Sequence, residues 1–173
     1  FMALAISAMG FGAVGWWDDR RSLRIRNKLL VEFTVGVSVI WLIDLPRGLQ
    51  FSGFEISALP QFLVIPVSLL WIIWMTNLYN FMDGIDGLAS LEAIFIFLIF
   101  SILAYFILSD PSLTFVLISI AASVFGFLFF NFPKSVILLG DVGSCFLGIV
   151  IALISIKTSQ LNPELFWLSL IHI

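Results

Sequence analysis

Long runs of apolar residues, separated by short polar stretches, dominate this chain. The runs cover about residues 1–17, 29–45, 60–76, 88–108, 113–130 and 144–156, and a seventh begins near residue 163. Their lengths approach the roughly 20 residues with which an α-helix crosses a bilayer, and they are continuous rather than alternating. The pattern predicts an all-α fold, a polytopic transmembrane helical bundle with about six to seven membrane helices.

Composition excludes an ordinary soluble domain, because 61% of the 173 residues are hydrophobic and only 11% are charged, against about a quarter charged in soluble domains. The single cysteine, Cys145, rules out an internal disulfide and provides no Cys cluster for a metal. The first run lacks the basic flank and cleavage site of a signal peptide. Since apolar runs reach both chain ends, we expect one membrane domain, residues 1–173, truncated at both ends.

The basic residues fall mostly on one side of the predicted bundle. If loops alternate across the bilayer, the other side receives only Arg47 and Lys157. Positive charge collects in cytoplasmic loops, so the richer side is expected to be cytoplasmic. That side receives six basic residues: Arg20, Arg21, Arg24, Arg26, Lys28 and Lys134. The three acidic clusters described next also fall on it.

The central stretch, residues 77–88, carries polar side chains in a regular step of three: Asn77, Asn80, Asp83 and Asp86. Residues three apart stay on nearly one face of a helix. Glycines follow both aspartates, and glycine permits positive φ or the close approach of a ligand. The alternative is capping of helix ends by Asn and Asp. Capping explains one or two such residues better than four in register.

Two further acidic groups flank the centre. Asp18 and Asp19 open a predicted loop, 18–28, that is dense in Arg and Lys. They are candidates for Mg²⁺ binding, proton acceptance or positioning of a nucleophile, with local ion pairs in a solvated loop as the alternative. Asp141 lies in a glycine-bearing turn that resembles an anion-binding nest with a carboxylate, and its alternative is an ordinary N-cap turn.

These residues are hard oxygen ligands and basic groups at a membrane surface. There is no Cys/His cluster for zinc and no Ser-His-Asp signature. Mg²⁺ prefers few carboxylates together with substrate phosphates, and phosphoryl transfer needs a metal, charge neutralisation and an acceptor. The inventory favours transfer of a phosphate-bearing group at the bilayer surface, with a lipid as a candidate acceptor.

The order of three motifs resembles a known family: the pair Asp18-Asp19, then residues 77–89 (NLYNFMDGIDGLA), then residues 130–148 (FNFPKSVILLGDVGSCFLG). It is similar to the bacterial polyprenyl-phosphate N-acetylhexosamine-1-phosphate transferases, glycosyltransferase family 4. Phe81-Met82 is closer to the branch that initiates O-antigen and common-antigen chains than to the peptidoglycan branch, which usually has Leu-Thr there.

The resemblance implies a reaction in which a UDP-N-acetylhexosamine gives its sugar-1-phosphate to undecaprenyl phosphate and UMP is released. It implies Mg²⁺ as the cofactor, with Mn²⁺ as the alternative, a multi-pass protein of the bacterial inner membrane, and an active site on its cytoplasmic face. The expected partners are these two substrates and membrane lipid, with no nucleic acid, and a homodimer remains open.

The same resemblance assigns roles to individual residues. Asp141 matches the main metal ligand, and Asp18 and Asp19 match an Asp pair near the lipid phosphate and the metal. Lys28 matches a basic residue near a substrate phosphate; its alternative is a juxtamembrane lysine that meets anionic lipid. The nucleotide-sugar site is matched by Asn77, Asn80, Asp83 and Asp86.

The sequence departs from the family pattern at three places. Glu32 stands where the family often has Gln, and Leu138 stands where some members place an aromatic near the uracil. His172 does not match the family's cytoplasmic His motif, because only about 13 Å of helix separates it from the loop near Pro163. We expect the true His motif to be missing, and the fragment by itself to be inactive.

Two rival functions remain. An intramembrane aspartyl protease needs catalytic Asp residues within its helices, and an ion-coupled transporter places acidic groups near the bilayer midplane. Here the acidic clusters lie at the ends of the apolar runs, which favours the transferase.

Overall fold

The computed structural model describes residues 2–21, 24–42 and 60–159. These residues form helices and connecting turns, with no strand among them, so the predicted all-α fold is confirmed. The seventh predicted run lies outside the described residues. Six helices are present in the described part: α1 Met2–Arg21, α2 Ile25–Leu42, α3 Gln61–Met82, α4 Leu88–Phe106, α5 Pro111–Asn131 and α6 Gly140–Ser159.

The protein is a multi-pass membrane protein. Four of the six helices are long and apolar enough to cross a bilayer by themselves, over Phe62–Met82, Leu88–Phe106, Pro111–Asn131 and Gly140–Ser159. The other two carry charge at one end. α1 ends in Asp-Asp-Arg-Arg, and α2 carries Arg26 and Lys28 in its first turn. Their charged ends hold several of the predicted functional residues.

Four helices, α1, α2, α3 and α6, extend beyond their apolar runs at a polar end, and this corrects four sequence-based boundaries. Asp18 and Asp19 lie in the last turn of α1 rather than in a loop, and Lys28 lies in the first turns of α2. The helix continues past the apolar run because Arg20 stacks 4.5 Å above the Trp16 ring one turn earlier, and because arginine at a helix C-terminus interacts favourably with the helix dipole.

The other two boundary corrections concern α3 and α6. α3 extends to Met82 and therefore includes Asn77 and Asn80, whereas the apolar run stops near residue 76. α6 begins at Gly140, so Asp141 lies in its first turn and not in a loop. In each case polar side chains at the helix end make hydrogen bonds within the protein, which allows the helix to continue beyond its apolar part.

The described residues form two compact units. The first consists of residues 2–21, 24–42, 60–80 and 140–159, and the second of residues 81–139. In the first unit α6 is the buried helix, and its residues 147–156 are buried without interruption. A helix that is apolar on all sides needs neighbours all round. Glycines give these neighbours close access: a Cβ at Gly148 would lie 2.7 Å from Thr76 Cα, and one at Gly15 would overlap the Asp141 carbonyl.

The second unit is an antiparallel pair of helices, α4 and α5. The loop 83–87 precedes α4, and the loop 132–139 follows α5. The pair packs through small and apolar side chains: Ala93, Phe97, Phe100, Leu117 and Ala121 are buried. The turn between the helices ends at Asp110, which is the N-cap of α5. Its side chain accepts a hydrogen bond from the Leu113 amide at 2.9 Å. The loops 83–87 and 132–139, which belong to the sequence motifs 77–89 and 130–148, lie at the other end of this pair.

Candidate functional site

The first unit brings Asp18, Lys28 and Asp141 together. The Lys28 ammonium forms ion pairs of 2.8 Å with Asp18 Oδ2 and with Asp141 Oδ2. The Lys28 and Asp18 side chains are each 12% exposed, and that of Asp141 is 25% exposed. Asp18 and Asp141 are far apart in the sequence, but both contact Lys28 in the structure. This agrees with the expectation that the aspartate pair lies close to Asp141. We call Asp18, Asp19, Lys28, Asn80 and Asp141 the acidic cluster.

Asp19 makes a different contact from its neighbour. Its Oδ1 accepts a hydrogen bond from the Asp141 amide at 3.1 Å, and its Oδ2 accepts one from the Val142 amide at 3.4 Å. A carboxylate at a helix N-terminus satisfies amides that have no intrahelical partner and interacts favourably with the dipole. Gly140 has φ of +67°, and a Cβ there would lie 3.2 Å from Asp19 Oδ2. The sequence predicted that this turn presents its amides to a phosphate, but here Asp19 accepts from two of them.

Asn80 completes the acidic cluster from α3. Its Nδ2 donates to Asp141 Oδ1 at 2.6 Å and to Ser144 Oγ at 3.2 Å. Both oxygens of the Asp141 carboxylate are therefore engaged, one by an amide and one by an ammonium. These contacts fix the direction of Asp141, which is the residue that the family resemblance makes the main metal ligand.

Asn77 lies one turn before Asn80 and contacts a different residue. Its Nδ2 donates to Glu32 Oε2 at 2.6 Å and to the Ile73 carbonyl at 2.9 Å. Glu32 is completely buried, and its Oε1 has no hydrogen-bond partner among the described residues. Glu32 follows Lys28 by four positions on α2, so the two side chains share a helix face. The sequence singled out Glu32 only as a departure from Gln.

The charge balance of the acidic cluster favours binding of a cation. The acidic cluster contains three aspartates and one lysine, of which Asp18 and Asp141 pair with Lys28, so negative charge is in excess. Burial desolvates the Lys28 ammonium and by itself lowers its pKa, but hydrogen bonds to Asp141 and Asp18 outweigh this effect, so the pKa is raised above its ordinary value. Lys28 is thus a permanent positive charge at neutral pH.

The residues of the acidic cluster fit Mg²⁺ by their chemistry. In the part of the chain that the structure describes, no three His, Cys, Asp or Glu side chains form a metal site by themselves. Mg²⁺ does not need such a set, because it is usually held by one or two carboxylates with waters and substrate phosphates. The two carboxylate oxygens that face Lys28 each lie 2.8 Å from its Nζ, so at most about twice that distance separates them.

The second unit holds the other half of the central motif. Asp83 is 7% exposed, and its Oδ1 accepts a hydrogen bond from the Leu139 amide at 3.1 Å. The exposed Asp86 accepts a short hydrogen bond from the Ser135 hydroxyl. Neither aspartate caps α4, because the N-cap is Gly87, with φ of +73° and no side-chain cap bond. For these two residues the capping alternative is therefore wrong.

One further residue of the second unit was missed by reasoning from sequence. Asn131 is 1% exposed and uses its side chain for three hydrogen bonds, to Gly87, Ser90 and Ile137. It lies inside the quoted motif 130–148, but next to a phenylalanine-rich run it looked like the polar end of a helix. Only its burial in the structure distinguishes Asn131 from an exposed asparagine at a helix end.

The other sequence predictions have mixed outcomes. Leu138 is 48% exposed and aliphatic, so an aromatic partner for a base is absent at that position. His172 lies outside the described residues. Two sets of predicted site residues thus emerge, one in each unit: Asp18, Asp19, Lys28, Asn77, Asn80 and Asp141 in the first, and Asp83 and Asp86 in the second.

The chain is similar to known proteins over most of its length. Residues 1–159 match the model of a family described as glycosyl transferase family 4. The chain is 30% identical to the probable undecaprenyl-phosphate N-acetylglucosaminyl 1-phosphate transferase of Bacillus subtilis (strain 168), over 95% of this chain and 46% of that protein. It is 32% identical to the phospho-N-acetylmuramoyl-pentapeptide-transferase of Heliobacterium modesticaldum, over 90% of this chain and 52% of that protein. The chain spans about half the length of these curated relatives.

Proposed function

The chain belongs to glycosyl transferase family 4, and on that premise we propose that the protein transfers an N-acetylhexosamine-1-phosphate from a UDP-sugar to undecaprenyl phosphate. In this reaction an oxygen of the lipid phosphate attacks the sugar-bearing phosphorus of the UDP-sugar. The bond from that phosphorus to the bridging oxygen breaks, and UMP leaves with the electron pair. The products are a lipid diphosphate sugar and UMP. The proposed place of the reaction is the cytoplasmic face of a bacterial inner membrane.

The acidic cluster is the observation that carries this proposal. Two carboxylates, Asp18 and Asp141, lie 2.8 Å from one lysine at the meeting point of helix ends. Attack of one phosphate on another brings anions together, and this requires positive charge at the reacting groups. Lys28 supplies one such charge within the chain, and its raised pKa keeps it protonated.

Mg²⁺ is the proposed cofactor, with Asp141 and Asp18 as the residues that would hold it. When bound, it would neutralise charge on the diphosphate of the donor. Asn80 and Lys28 orient the Asp141 carboxylate through its two oxygens. Asp19 holds the first turn of α6 through the Asp141 and Val142 amides. These contacts favour different roles for the two aspartates. Asp18 would act at the reacting groups, and Asp19 would position Asp141.

The loops of the second unit are the proposed binding site for the nucleotide part of the donor. Asp83 is buried and accepts a hydrogen bond from a backbone amide, whereas Asp86 is exposed and accepts a hydrogen bond from a serine hydroxyl. Exposed carboxylates accept hydrogen bonds from sugar hydroxyls or base N–H groups. Which N-acetylhexosamine the donor carries follows from the outcome of the experiment below.

The test measures UMP release by membranes that contain the full-length protein, with undecaprenyl phosphate, Mg²⁺ and UDP-GlcNAc in turn with other UDP-N-acetylhexosamines. UMP release that requires both the lipid and the metal supports the proposal. Asp141→Asn should abolish Mg²⁺-dependent release, because it removes the charge that a cation needs. Asp110→Asn is the matched control, since Asn also caps helices and the residue lies outside the acidic cluster and outside the loops 83–87 and 132–139. No release with any donor by folded protein contradicts the reaction class.

A further inference from the structure

Glu32 is a buried carboxylate that the proposed reaction does not use. It lies in α2, one turn after Lys28, and its Oε2 accepts a hydrogen bond of 2.6 Å from the side-chain amide of Asn77. Its Oε1 has no hydrogen-bond partner among the described residues. A buried polar atom without a partner costs free energy. Such a cost in the interior is typical of side chains that serve function rather than stability.

The hydrogen bond from Asn77 to Glu32 joins two helices beside the acidic cluster. Asn77 lies one turn before Asn80 on α3, and Glu32 lies one turn after Lys28 on α2. Residues three or four positions apart share a helix face, so each partner of this hydrogen bond neighbours a residue of the acidic cluster. The Asn77 Nδ2 also donates to the Ile73 carbonyl at 2.9 Å, so the amide group of Asn77 is engaged inside the protein.

The two neighbours, Asn80 and Lys28, are the residues that hold Asp141. The Asn80 Nδ2 donates to Asp141 Oδ1 at 2.6 Å, and the Lys28 ammonium lies 2.8 Å from Asp141 Oδ2. One oxygen of the carboxylate is therefore held from α3 and the other from α2. The direction of the carboxylate thus depends on how α2 and α3 are placed against each other.

Apolar packing by itself leaves this placement loosely defined. Further along the same two helices Gly36 lies against Leu69, where an added Cβ would be 2.7 Å from Leu69 Cδ1. The hydrophobic effect is non-directional, so contacts of this kind tolerate small rotations and shifts of a helix. A hydrogen bond has a preferred distance and angle. Glu32 and Asn77 therefore supply a directional contact between α2 and α3, one turn from the residues that hold Asp141.

We propose that Glu32 is a positioning residue for cation binding by Asp141. Through its hydrogen bond with Asn77 it fixes α2 against α3, and Lys28 and Asn80 then hold the carboxylate in one direction. The proposal rests on the proposed function, which assigns Asp141 to Mg²⁺. Glu32 acts through these residues and is not itself a ligand of the ion. Its loss should therefore weaken metal binding and leave KM for the UDP-sugar unchanged at saturating metal.

Glu32→Leu is the test variant, because leucine has a similar size and cannot accept from Asn77. Metal binding is measured as Mn²⁺ binding to the full-length protein, from the EPR signal of free Mn²⁺, with and without UMP. We expect the Kd for Mn²⁺ to rise roughly tenfold, the lower end of the effect of residues that orient metal ligands. The Mg²⁺ concentration for half-maximal UMP release should rise by the same factor. Glu32→Gln should bind Mn²⁺ as wild type does, because its side-chain oxygen still accepts from Asn77.

Two further variants separate positioning from general destabilisation. Val39→Ala removes packing at a buried position of α2, about 10 Å further along the helix, and should lower Tm without weakening Mn²⁺ binding. Asn77→Leu breaks the hydrogen bond to Glu32 from the side of α3. It should weaken Mn²⁺ binding by the same factor as Glu32→Leu, and the double variant by no more than either, because both remove one contact. Thermal unfolding in detergent sets a temperature at which every variant is folded, and binding is compared there.

Two results overturn the proposal in distinguishable ways. Full-length wild-type protein that binds no Mn²⁺, with or without UMP, contradicts the metal site of the proposed function and the positioning role with it. Wild-type protein that binds Mn²⁺ while Glu32→Leu or Asn77→Leu binds it equally well contradicts the positioning role alone. The same conclusion follows if Val39→Ala weakens Mn²⁺ binding as much as Glu32→Leu does.

Discussion

Replacement of Lys28 by methionine isolates the ion pairs that hold the acidic cluster together. The Lys28 Nζ lies 2.8 Å from both Asp18 and Asp141, and its side chain is 12% exposed. Methionine keeps most of the apolar stem and leaves two carboxylates facing each other without a cation. Breaking a buried pair costs about 3–5 kcal/mol, and an exposed pair contributes less than about 1 kcal/mol. We expect a loss of about 2 kcal/mol, since Asp141 is still 25% exposed.

The assay is thermal unfolding of the full-length protein in detergent. One kcal/mol shifts Tm by about 2–4 °C for chains of 150–250 residues and by less for longer ones, so Lys28→Met should lower the Tm of the full-length protein by up to about 4–8 °C. Arg26→Met is the matched control, because Arg26 is exposed in the same first turns of α2, and its change should stay within about 0.5 kcal/mol. Asp18→Asn added to Lys28→Met should recover part of the loss, because it removes one unpaired carboxylate. An unchanged Tm in Lys28→Met would refute the reasoning.

The pH dependence of this effect has a definite sign. The pKa of Lys28 is raised in the folded protein, because its hydrogen bonds to Asp141 and Asp18 outweigh desolvation. A raised pKa contributes stability that is complete below the unfolded value of about 10.4 and is lost as pH rises through the folded pKa. The Tm difference between wild type and Lys28→Met should therefore be the same at pH 7 and pH 9. A difference that shrinks between these two values would contradict the assignment.

Three further outcomes follow from packing and burial. Gly148→Ala should lower stability by about 1–3 kcal/mol, because the new Cβ would lie 2.7 Å from Thr76 Cα and the backbone cannot easily yield. Its control, Gly126→Ala, meets nothing within 4 Å and should leave the Tm unchanged or slightly higher. Glu32→Gln should keep the Tm and the activity, since Gln retains an oxygen that can accept from Asn77. Glu32→Leu should lower Tm by the equivalent of about 1 kcal/mol, because it removes one partner of the Asn77 amide; an unchanged Tm would show that this hydrogen bond contributes nothing.

Much of the fold was predictable because membrane helices are local features. The length and continuity of each apolar run give a span without knowledge of its neighbours. The predicted boundaries were wrong where polar residues continue a helix, at Asp18-Asp19, at Asn80 and at Asp141. A polar side chain at the end of an apolar run ends the pattern but not the helix, provided that another segment supplies its hydrogen-bond partner.

The candidate site was predictable in its residue types and only partly in its geometry. The motif residues Asp18, Lys28 and Asp141 were named from sequence, and the structure brings them together. Nothing along the chain indicates that Asp19 accepts from the Asp141 amide, or that Asn77 donates to Glu32. Asn131 was overlooked because nothing along the chain distinguishes a buried polar residue at a helix end from an exposed one.

By itself the sequence determined that this is a helical membrane protein of glycosyl transferase family 4 with an oxygen-rich, basic inventory suited to phosphate chemistry. The tertiary structure alone decided which carboxylate meets which partner. The physical reason is that an almost uniformly apolar helix has no polar face to show which side points inward. Its rotation is set by close contacts such as those at Gly15 and Gly148, and these contacts join residues far apart in the chain.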